Sequence, residues 1–332
     1  MTSVLAPMLN STLGNNITFV HPAYFIISGF IGIPNIKYYY VFLFFMYVVS
    51  VLGNTASLHS PKYMIVFNLA LADLCGSTAL IPKLFETFLF DRSDIVYQDC
   101  LSYMFFVYFF TDVQSWILVI MAYDRFIAIC FPLRYHSIVT KPAIAAMLLL
   151  VWIVLMSISA YMVGLVDRLS FCGPLVIQSF FCNHGLIVDL ACDDTSLNSD
   201  ISFVSFVLNP CLPPILIILT YVCIAIALSR VASRKERLKA AKTCTSHLIL
   251  VAICFSPYLY ICITNLISKV DRDGRIISMT LAHIVPPLLN PILYSLKTEE
   301  VLNCIKRLCH NMLSNITMSK KRGKEEPKDH CG

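Results

Sequence analysis

The chain has 332 residues, of which 58% are hydrophobic and only 14% are charged, and its mean hydropathy is +0.74. Soluble domains are about 45–50% apolar and about 25% charged, so a water-soluble protein of this length cannot hide so much apolar surface in one core. The net charge of +5 is also too small for the basic surface that nucleic-acid binding requires. The composition therefore indicates a membrane protein without a nucleic-acid partner.

Seven stretches of the sequence are long and apolar enough to cross a bilayer, since a helix needs about 20 apolar residues to span about 30 Å of hydrocarbon. Strand-like alternation is absent, and backbone groups inside a membrane must be hydrogen-bonded within their own segment, so helices are expected. The predicted fold class is an all-α membrane protein. In chain order the predicted spans are Tyr38–Thr55, Pro61–Ile81, Leu101–Met121, Ala143–Leu165, Ile201–Ser229, Thr243–Ile267 and Ile276–Leu296.

Basic residues are distributed unevenly between the two sides of these spans. Most of the 25 lysines and arginines lie on the side that holds the connection between spans five and six and the C-terminal tail. Basic connections stay in the cytoplasm, so the N-terminus is predicted to be extracellular. Asn10 and Asn16 begin glycosylation sequons in that N-terminal arm, which agrees with this orientation, although such sequons also arise by chance.

The positions of the cysteines and histidines indicate disulfide bonds and give no sign of a metal or catalytic site. Four of the 14 cysteines fall in the predicted outer layer, where an even number in an oxidising compartment indicates disulfides with three alternative pairings. The eight histidines show no metal-ligand spacing, and no nucleophile–base set stands out. We therefore predict no metal site and no enzymatic activity. The four outer cysteines are Cys100, Cys172, Cys182 and Cys192.

Five motifs occur in a fixed order and give the sequence its most specific signal. Together they resemble the olfactory family of rhodopsin-like G-protein-coupled receptors over residues 24–308, and the opening ISGFIGIP at Ile27–Pro34 resembles the class I, fish-like branch of that family. The motifs are LHSPKY at Leu58–Tyr63, MAYDRFIAIC at Met121–Cys130, PLRY at Pro132–Tyr135, KTCTSHL at Lys242–Leu248 and PLLNPILYS at Pro287–Ser295.

This resemblance implies a seven-transmembrane helix bundle at residues 38–296, after an extracellular arm at 1–37. A short amphipathic cytoplasmic helix and a basic tail are expected at 297–332. The apolar and basic positions of Glu299–Leu313 suit a helix lying on membrane lipids, where Cys304 and Cys309 are either palmitoylated or free thiols.

The resemblance also implies a multi-pass plasma-membrane receptor that binds a small-molecule odorant and activates a heterotrimeric G protein of the stimulatory olfactory type. It implies disulfides Cys100–Cys182 and Cys172–Cys192. It places Asp73 in a polar network with Asn54 and Asn290, with a sodium ion as a candidate ligand of this network. The switch residues that it implies are Asp124, Arg125, Tyr221, Asn290, Pro291 and Tyr294.

These motif residues also have simpler interpretations. Asp124 and Arg125 could be a charged pair that reaches out of the membrane edge. Pro291 could kink a helix without any switching role, because proline removes a backbone hydrogen bond. Asp73 could be a protonated carboxyl held by hydrogen bonds.

Polar side chains recur at helical spacing on three spans and predict a ligand pocket between spans three, five, six and seven. The alternative is polar packing between helices. Asp112 has no basic neighbour in sequence, so burial favours its protonated, hydrogen-bond-donating form, whereas a bound amine would favour the carboxylate. An ionised Asp112 would repel a carboxylate odorant, so amine or neutral polar ligands are favoured. The candidate residues are Tyr108, Thr111, Asp112, Ser115, Ser205, Asn209, Phe255, Tyr258 and Cys262, with Ser202 and Asn265 on the same helix faces.

One spacing departs from the resembled family. Asn54 and Asp73, both expected in mid-membrane, are only 19 residues apart. Crossing half a bilayer takes about 10 residues in each direction at about 1.5 Å per residue, so no residue remains for a turn. The explanations are a first span that is shifted outward, an incorrect gene model, or a truncated product that does not signal.

Two other function classes are a transporter or channel, and a binding or trafficking protein without signalling. A transporter predicts internal repeats, a charged pathway or paired broken helices, and the sequence shows none of them. The second class is favoured only by the short connection between Asn54 and Asp73.

Overall fold

A computed structural model describes most of the chain between the second and sixth predicted spans. The first predicted span, the short connection after it and the segment from residue 291 onward lie outside the described residues, so the expectations for them stay predictions. The described residues are 18–19, 21–27, 64–89, 93–172, 174–179, 181–230, 233–267, 274, 277–283, 285–286 and 290.

Long helices dominate the described residues. In chain order they are α1 (Met64–Leu89), α2 (Tyr97–Cys130), α3 (Tyr135–Ile138), α4 (Lys141–Asp167), α5 (His184–Val188), α6 (Ser196–Phe206), α7 (Leu212–Ser229) and α8 (Arg234–Ile267), with a 3₁₀ turn at Pro132–Arg134 and a π-helical segment at Val207–Cys211 between α6 and α7. Residues 277–283 of the seventh predicted span are helical as well.

Three of these helical stretches are long and apolar enough to cross a membrane among the described residues: Tyr97–Cys130, Lys141–Asp167 and Ser196–Ser229. They contain the predicted spans three, four and five. Shorter apolar helical segments, Met64–Leu80 and His247–Ile263, coincide with spans two and six. The described part of the chain thus has the mostly helical, membrane-spanning character that its composition predicts.

Helices α4 and α7 carry apolar side chains on their outer faces. Leu149 and Leu150 of α4 and Ile218 of α7 each expose more than half of their surface. Large apolar side chains that lie together on an exposed surface are typically covered by a partner or by lipid rather than by water. The outward apolar faces therefore suit a hydrocarbon environment.

Helix α2 lies at the centre of the packing and contacts α1, α4 and α7. The indole Nε1 of Trp152 on α4 donates to Asn68 Oδ1 on α1 at 3.1 Å, which links the two helices on either side of α2. Gly76 permits the close approach of α1 to α2, because a Cβ placed there would lie 3.1 Å from Phe110 Cβ.

We expect Gly76→Leu to destabilise the protein, because overpacking a tight contact typically costs about 1–3 kcal/mol. Gly164→Leu is the matched control, since a Cβ at Gly164 meets no atom within 4 Å. The thermal unfolding midpoint of each purified variant should be lowered for Gly76→Leu and nearly unchanged for Gly164→Leu. Equal midpoints for the two variants would contradict the role given to Gly76.

Short strands occur where the prediction of an all-α fold expected none. Strand β2 (Tyr24–Ile27) pairs antiparallel with β3 (Asp94–Val96) and parallel with β5 (Val176–Ile177), while β1 (Thr18–Phe19) pairs with β4 (Phe171–Cys172). These strands have only two to four residues, too few for the alternation that reveals a strand in a sequence. The described residues are thus mostly helical, as predicted, with two small sheets at one end that the sequence did not indicate.

Two disulfides lie beside these sheets, at what is called here the disulfide end of the molecule. Cys100 at the start of α2 is bonded to Cys182, and Cys172 of β4 is bonded to Cys192. This is the pairing that the family resemblance implies. Phe25, Phe171 and Phe181 are almost fully buried around Cys100–Cys182, so the sheets, the disulfide and the first turns of α2 share one hydrophobic cluster.

Candidate functional site

A cavity of about 380 Å³ lies between the helices next to the cluster at the disulfide end. Its wall includes residues of α2, α4, α5, α6, the π-helical segment and α8, together with Met279 and His283. The lining residues are Tyr108, Thr111, Asp112, Ser115, Met162, Phe181, His184, Gly185, Ser202, Ser205, Phe206, Asn209, Pro210, Tyr258, Ile261, Cys262, Met279 and His283.

Helix α2 presents its polar stripe to this cavity, as the helical spacing predicts. Opposite it, the π-helical segment contains Pro210, which has no N–H to donate and so favours a local change in backbone hydrogen bonding. Asn209, within this segment, donates from Nδ2 to Asp112 Oδ2 at 2.9 Å. This hydrogen bond joins α2 to the π-helical segment in the wall of the cavity.

The structure brings together eight of the nine candidate ligand-binding residues, and Ser202 joins them. The exception is Phe255, which does not line the cavity. It is buried in a core cluster with Val251 and Cys254, about one turn along α8 from Tyr258. Helical spacing predicts that Phe255 and Tyr258 lie on the same side of α8. It does not predict how far along α8 the cavity extends, and the cavity ends before it reaches Phe255. The side chain of Asn265 lies outside the described residues.

Several lining residues were missed because they are apolar or lie outside the three polar stripes. They are Met162, Phe181, His184, Gly185, Phe206, Pro210, Ile261, Met279 and His283. One signal for Phe181 and His184 was present in the sequence. A disulfide from Cys182 to Cys100, at the start of α2, brings the neighbours of Cys182 close to Tyr108, which lies about two turns along α2.

The segment around Cys182 closes the cavity through specific contacts. Asn183 caps α5 by accepting from the backbone N–H of Leu186, and its Nδ2 donates to the Tyr108 hydroxyl at 3.2 Å. Gly185 and His184 of the same segment line the cavity. The loop that carries Cys182 is thus held directly against α2.

His184 is a buried, uncharged group in this segment. Burial lowers the pKa of His184 to about 4, so the imidazole is neutral at pH 7. Its Nδ1 lies 3.0 Å from the Ser202 hydroxyl, which also lies 2.7 Å from the Asn198 carbonyl oxygen, so this hydrogen-bonded contact joins α5 to α6.

The motif residues of α2 lie at the opposite end, called here the Arg125 end. Tyr135 donates its hydroxyl to Asp124 Oδ1 at 2.8 Å, and burial together with this bond raises the pKa of Tyr135 to about 12. Arg125 is half-buried and close enough to Tyr135 and Tyr221 for its charge to act on both phenols. Tyr221 in turn contacts His247 Nδ1 at 2.9 Å, which connects α7 to α8.

Asp73 and Asn290 are also brought together. Asn290 Nδ2 donates to Asp73 Oδ2 at 2.7 Å, and both side chains are buried. The other oxygen of each side chain has no hydrogen-bond partner among the described residues. Asn54, Pro291, Tyr294 and the sequon residues Asn10 and Asn16 lie outside the described part of the chain.

Comparison with known proteins identifies the family. The profile described as "Olfactory receptor" matches residues 36–312. Olfactory receptor 1 of Rattus norvegicus is 35% identical over 281 residues, which cover 81% of this chain and 88% of that protein. Olfactory receptor 1496 of the same species is 33% identical over 311 residues, covering 90% and 98%.

A primate relative gives the same result. Olfactory receptor 1E1 of Pan troglodytes is 34% identical over 282 residues, which cover 82% of this chain and 89% of that protein. The prediction that the chain is a receptor and not an enzyme agrees with these relatives, and its assignment to the fish-like branch stays a prediction. The family profile spans most of the chain, and so this protein belongs to the olfactory receptor family.

Proposed function

We propose that this chain is an odorant receptor that binds a small molecule in the cavity and activates a heterotrimeric G protein of the stimulatory olfactory type. The observation that carries the proposal is the cavity of about 380 Å³, with apolar walls and a few polar groups, in a member of the olfactory receptor family. Small-molecule sites typically combine such walls with a few polar groups that fix orientation. The ligand contacts proposed are the eight candidate residues that line the cavity.

The proposed architecture is a seven-helix bundle in the plasma membrane, with domains at 1–37, 38–296 and 297–332. The disulfide end faces the cell exterior, where disulfides persist, and glycosylated Asn10 and Asn16 belong to the same side. The Arg125 end faces the cytoplasm. The excess of lysine and arginine on the side of the connection between α7 and α8 supports this orientation.

The G protein is proposed to bind at the Arg125 end. The guanidinium of Arg125 is always charged and needs partners, and Tyr135 and Tyr221 lie close to it in this structure. An agonist shifts the receptor toward the active state only if it binds that state more tightly than the resting state. The cavity touches α8 and α6, and α8 reaches the Arg125 end through His247, so one helix connects the two sites.

A sodium ion is proposed near Asp73. Two buried oxygens, Asp73 Oδ1 and Asn290 Oδ1, lack hydrogen-bond partners among the described residues. Hard cations prefer carboxylate and amide oxygens, so these residues fit such an ion. When bound, the ion would supply positive charge that compensates the buried carboxylate.

The test of the proposed function is expression with an olfactory-type stimulatory G protein and a cyclic-AMP measurement over an odorant panel. A second version with a restored first inner loop is measured beside the natural sequence. It is included because the short Asn54–Asp73 spacing is compatible with a natural chain that does not signal. We expect at least one version to give a ligand-dependent rise in cyclic AMP. Silence of both versions at normal surface levels would favour the non-signalling alternative.

Two substitutions test whether the cyclic-AMP response depends on ligand binding in the cavity. Thr111→Phe fills part of the cavity and should abolish the response, whereas Val222→Phe on the outer face of α7 should preserve it. Both variants are compared at equal surface expression. An unchanged response of Thr111→Phe to every ligand would place the binding site elsewhere.

A further inference from the structure

The cavity wall contains one acidic side chain and no lysine or arginine among its described residues. The acidic side chain is that of Asp112. Asn209, the side chain that binds Asp112, is a neutral amide. The other titratable groups of the wall are Tyr108, His184, Tyr258, Cys262 and His283.

The two oxygens of Asp112 have different surroundings. Oδ2 accepts the hydrogen bond from Asn209. No described residue donates a hydrogen bond to Oδ1. Asp112 as a whole is only 7% exposed and lies in the cavity wall. A ligand in the cavity can therefore reach the Asp112 side chain.

We propose that this receptor is selective for small aliphatic amines, whose ammonium group binds Asp112 Oδ1. The inference rests on the proposed function, because it takes the cavity as the odorant site. A carboxylate shielded from water is costly unless a cation or several hydrogen-bond donors compensate it, and Asn209 supplies one donor only. An ammonium ion brings both a positive charge and up to three donors.

The neutral groups of the wall agree with this selection. His184 is uncharged at pH 7, so it places no positive charge against an incoming ammonium. Apolar side chains form much of the remaining wall and suit an aliphatic tail: Met162, Phe181, Phe206, Ile261 and Met279. An odorant carboxylate of the same length brings no cation, so it cannot stabilise an ionised Asp112 as an ammonium does.

The experiment compares heptylamine, heptan-1-ol and heptanoic acid on the natural receptor, or on the version with the restored loop, and on Asp112→Asn. This substitution removes the charge but keeps an oxygen that accepts from Asn209, so the wall is preserved. We expect heptylamine to be the most potent of the three, and its potency to fall about tenfold to a hundredfold in Asp112→Asn. Heptan-1-ol should lose much less.

Two further variants separate the effect of the Asp112 carboxylate from the effect of removing a negative charge elsewhere. Asp112→Glu retains the carboxylate and should keep part of the amine response. Asp200→Asn removes the same charge from an exposed position of α6 outside the cavity, and should leave the amine response unchanged. Surface staining of every variant checks that it folds.

A binding measurement separates this inference from the proposed function. The thermal unfolding midpoint of the purified receptor should rise with heptylamine, and this rise should be absent in Asp112→Asn. If the receptor never signals but shows this difference, the amine site stands and the signalling function fails. If it signals to heptan-1-ol or heptanoic acid and Asp112→Asn changes no potency, the odorant function stands and amine selectivity is refuted.

Discussion

Replacing Cys100 or Cys182 with serine is expected to remove the receptor from the cell surface. The Cys100–Cys182 bond joins residues 82 positions apart, and its loss typically costs about 2–5 kcal/mol. Folded proteins are stable by only about 5–15 kcal/mol, so a loss of this size leaves a large unfolded fraction for cellular quality control. The bond also holds Phe181 and His184 over the cavity, which links its loss to ligand binding.

Surface staining of intact cells through an N-terminal tag measures this effect, with total protein determined in parallel. Cys223→Ser is the matched control, because Cys223 is an exposed, unbonded cysteine of α7. Removing Cys172–Cys192 should have a smaller effect, since this bond closes a shorter loop of 20 positions. Undiminished surface staining of both Cys100→Ser and Cys182→Ser would contradict the role given to the bond.

Replacing Arg125 with alanine is expected to abolish signalling while leaving the receptor at the cell surface. Arg125 is half-buried near the end of α2, and its charge acts on Tyr135 and Tyr221. Replacing it with alanine therefore removes a fixed charge from the proposed G-protein site. The folding cost is expected to be small, since Arg125 makes no ion pair with another described residue. Ligand binding in the cavity, at the other end of α2, should persist.

Agonist-dependent cyclic AMP, measured at matched surface levels, tests this expectation. Arg134→Ala serves as the control, because Arg134 is an exposed arginine in the adjacent 3₁₀ turn and carries the same charge. We expect Arg134→Ala to retain most of the response. A normal response of Arg125→Ala would show that the motif is a structural feature of the membrane edge.

Much of the site could be predicted from the sequence because helical periodicity is a local property. The residues Tyr108, Thr111, Asp112 and Ser115 share a face of any helix at their spacing, whatever surrounds it. The family resemblance added the partners that periodicity cannot give, such as Cys182 for Cys100 and Asn290 for Asp73. Each of these pairs occurs in the structure as the resemblance implies.

Other features depended on distances between segments that no local pattern encodes. Phe255 lies on the expected side of α8 but too deep to reach the cavity, since the depth of a cavity is set by the packing of all its walls. The strands around Tyr24–Ile27 have too few residues to show alternation, and they form because three separate segments meet at the disulfide end.

The sequence by itself determined the membrane character, the helical spans among the described residues and the family, because composition, apolar length and ordered motifs are all properties of the linear chain. The tertiary structure alone decided that Asn209 binds one oxygen of Asp112, that Asp112 lines the cavity, and that His184 closes it. Asp112 and Asn209 are 97 positions apart, and the π-helical segment around Pro210 places the amide within 2.9 Å of the carboxylate. Hydrogen bonds act over about 3 Å, so which groups meet inside a helical bundle is settled only when its helices have packed.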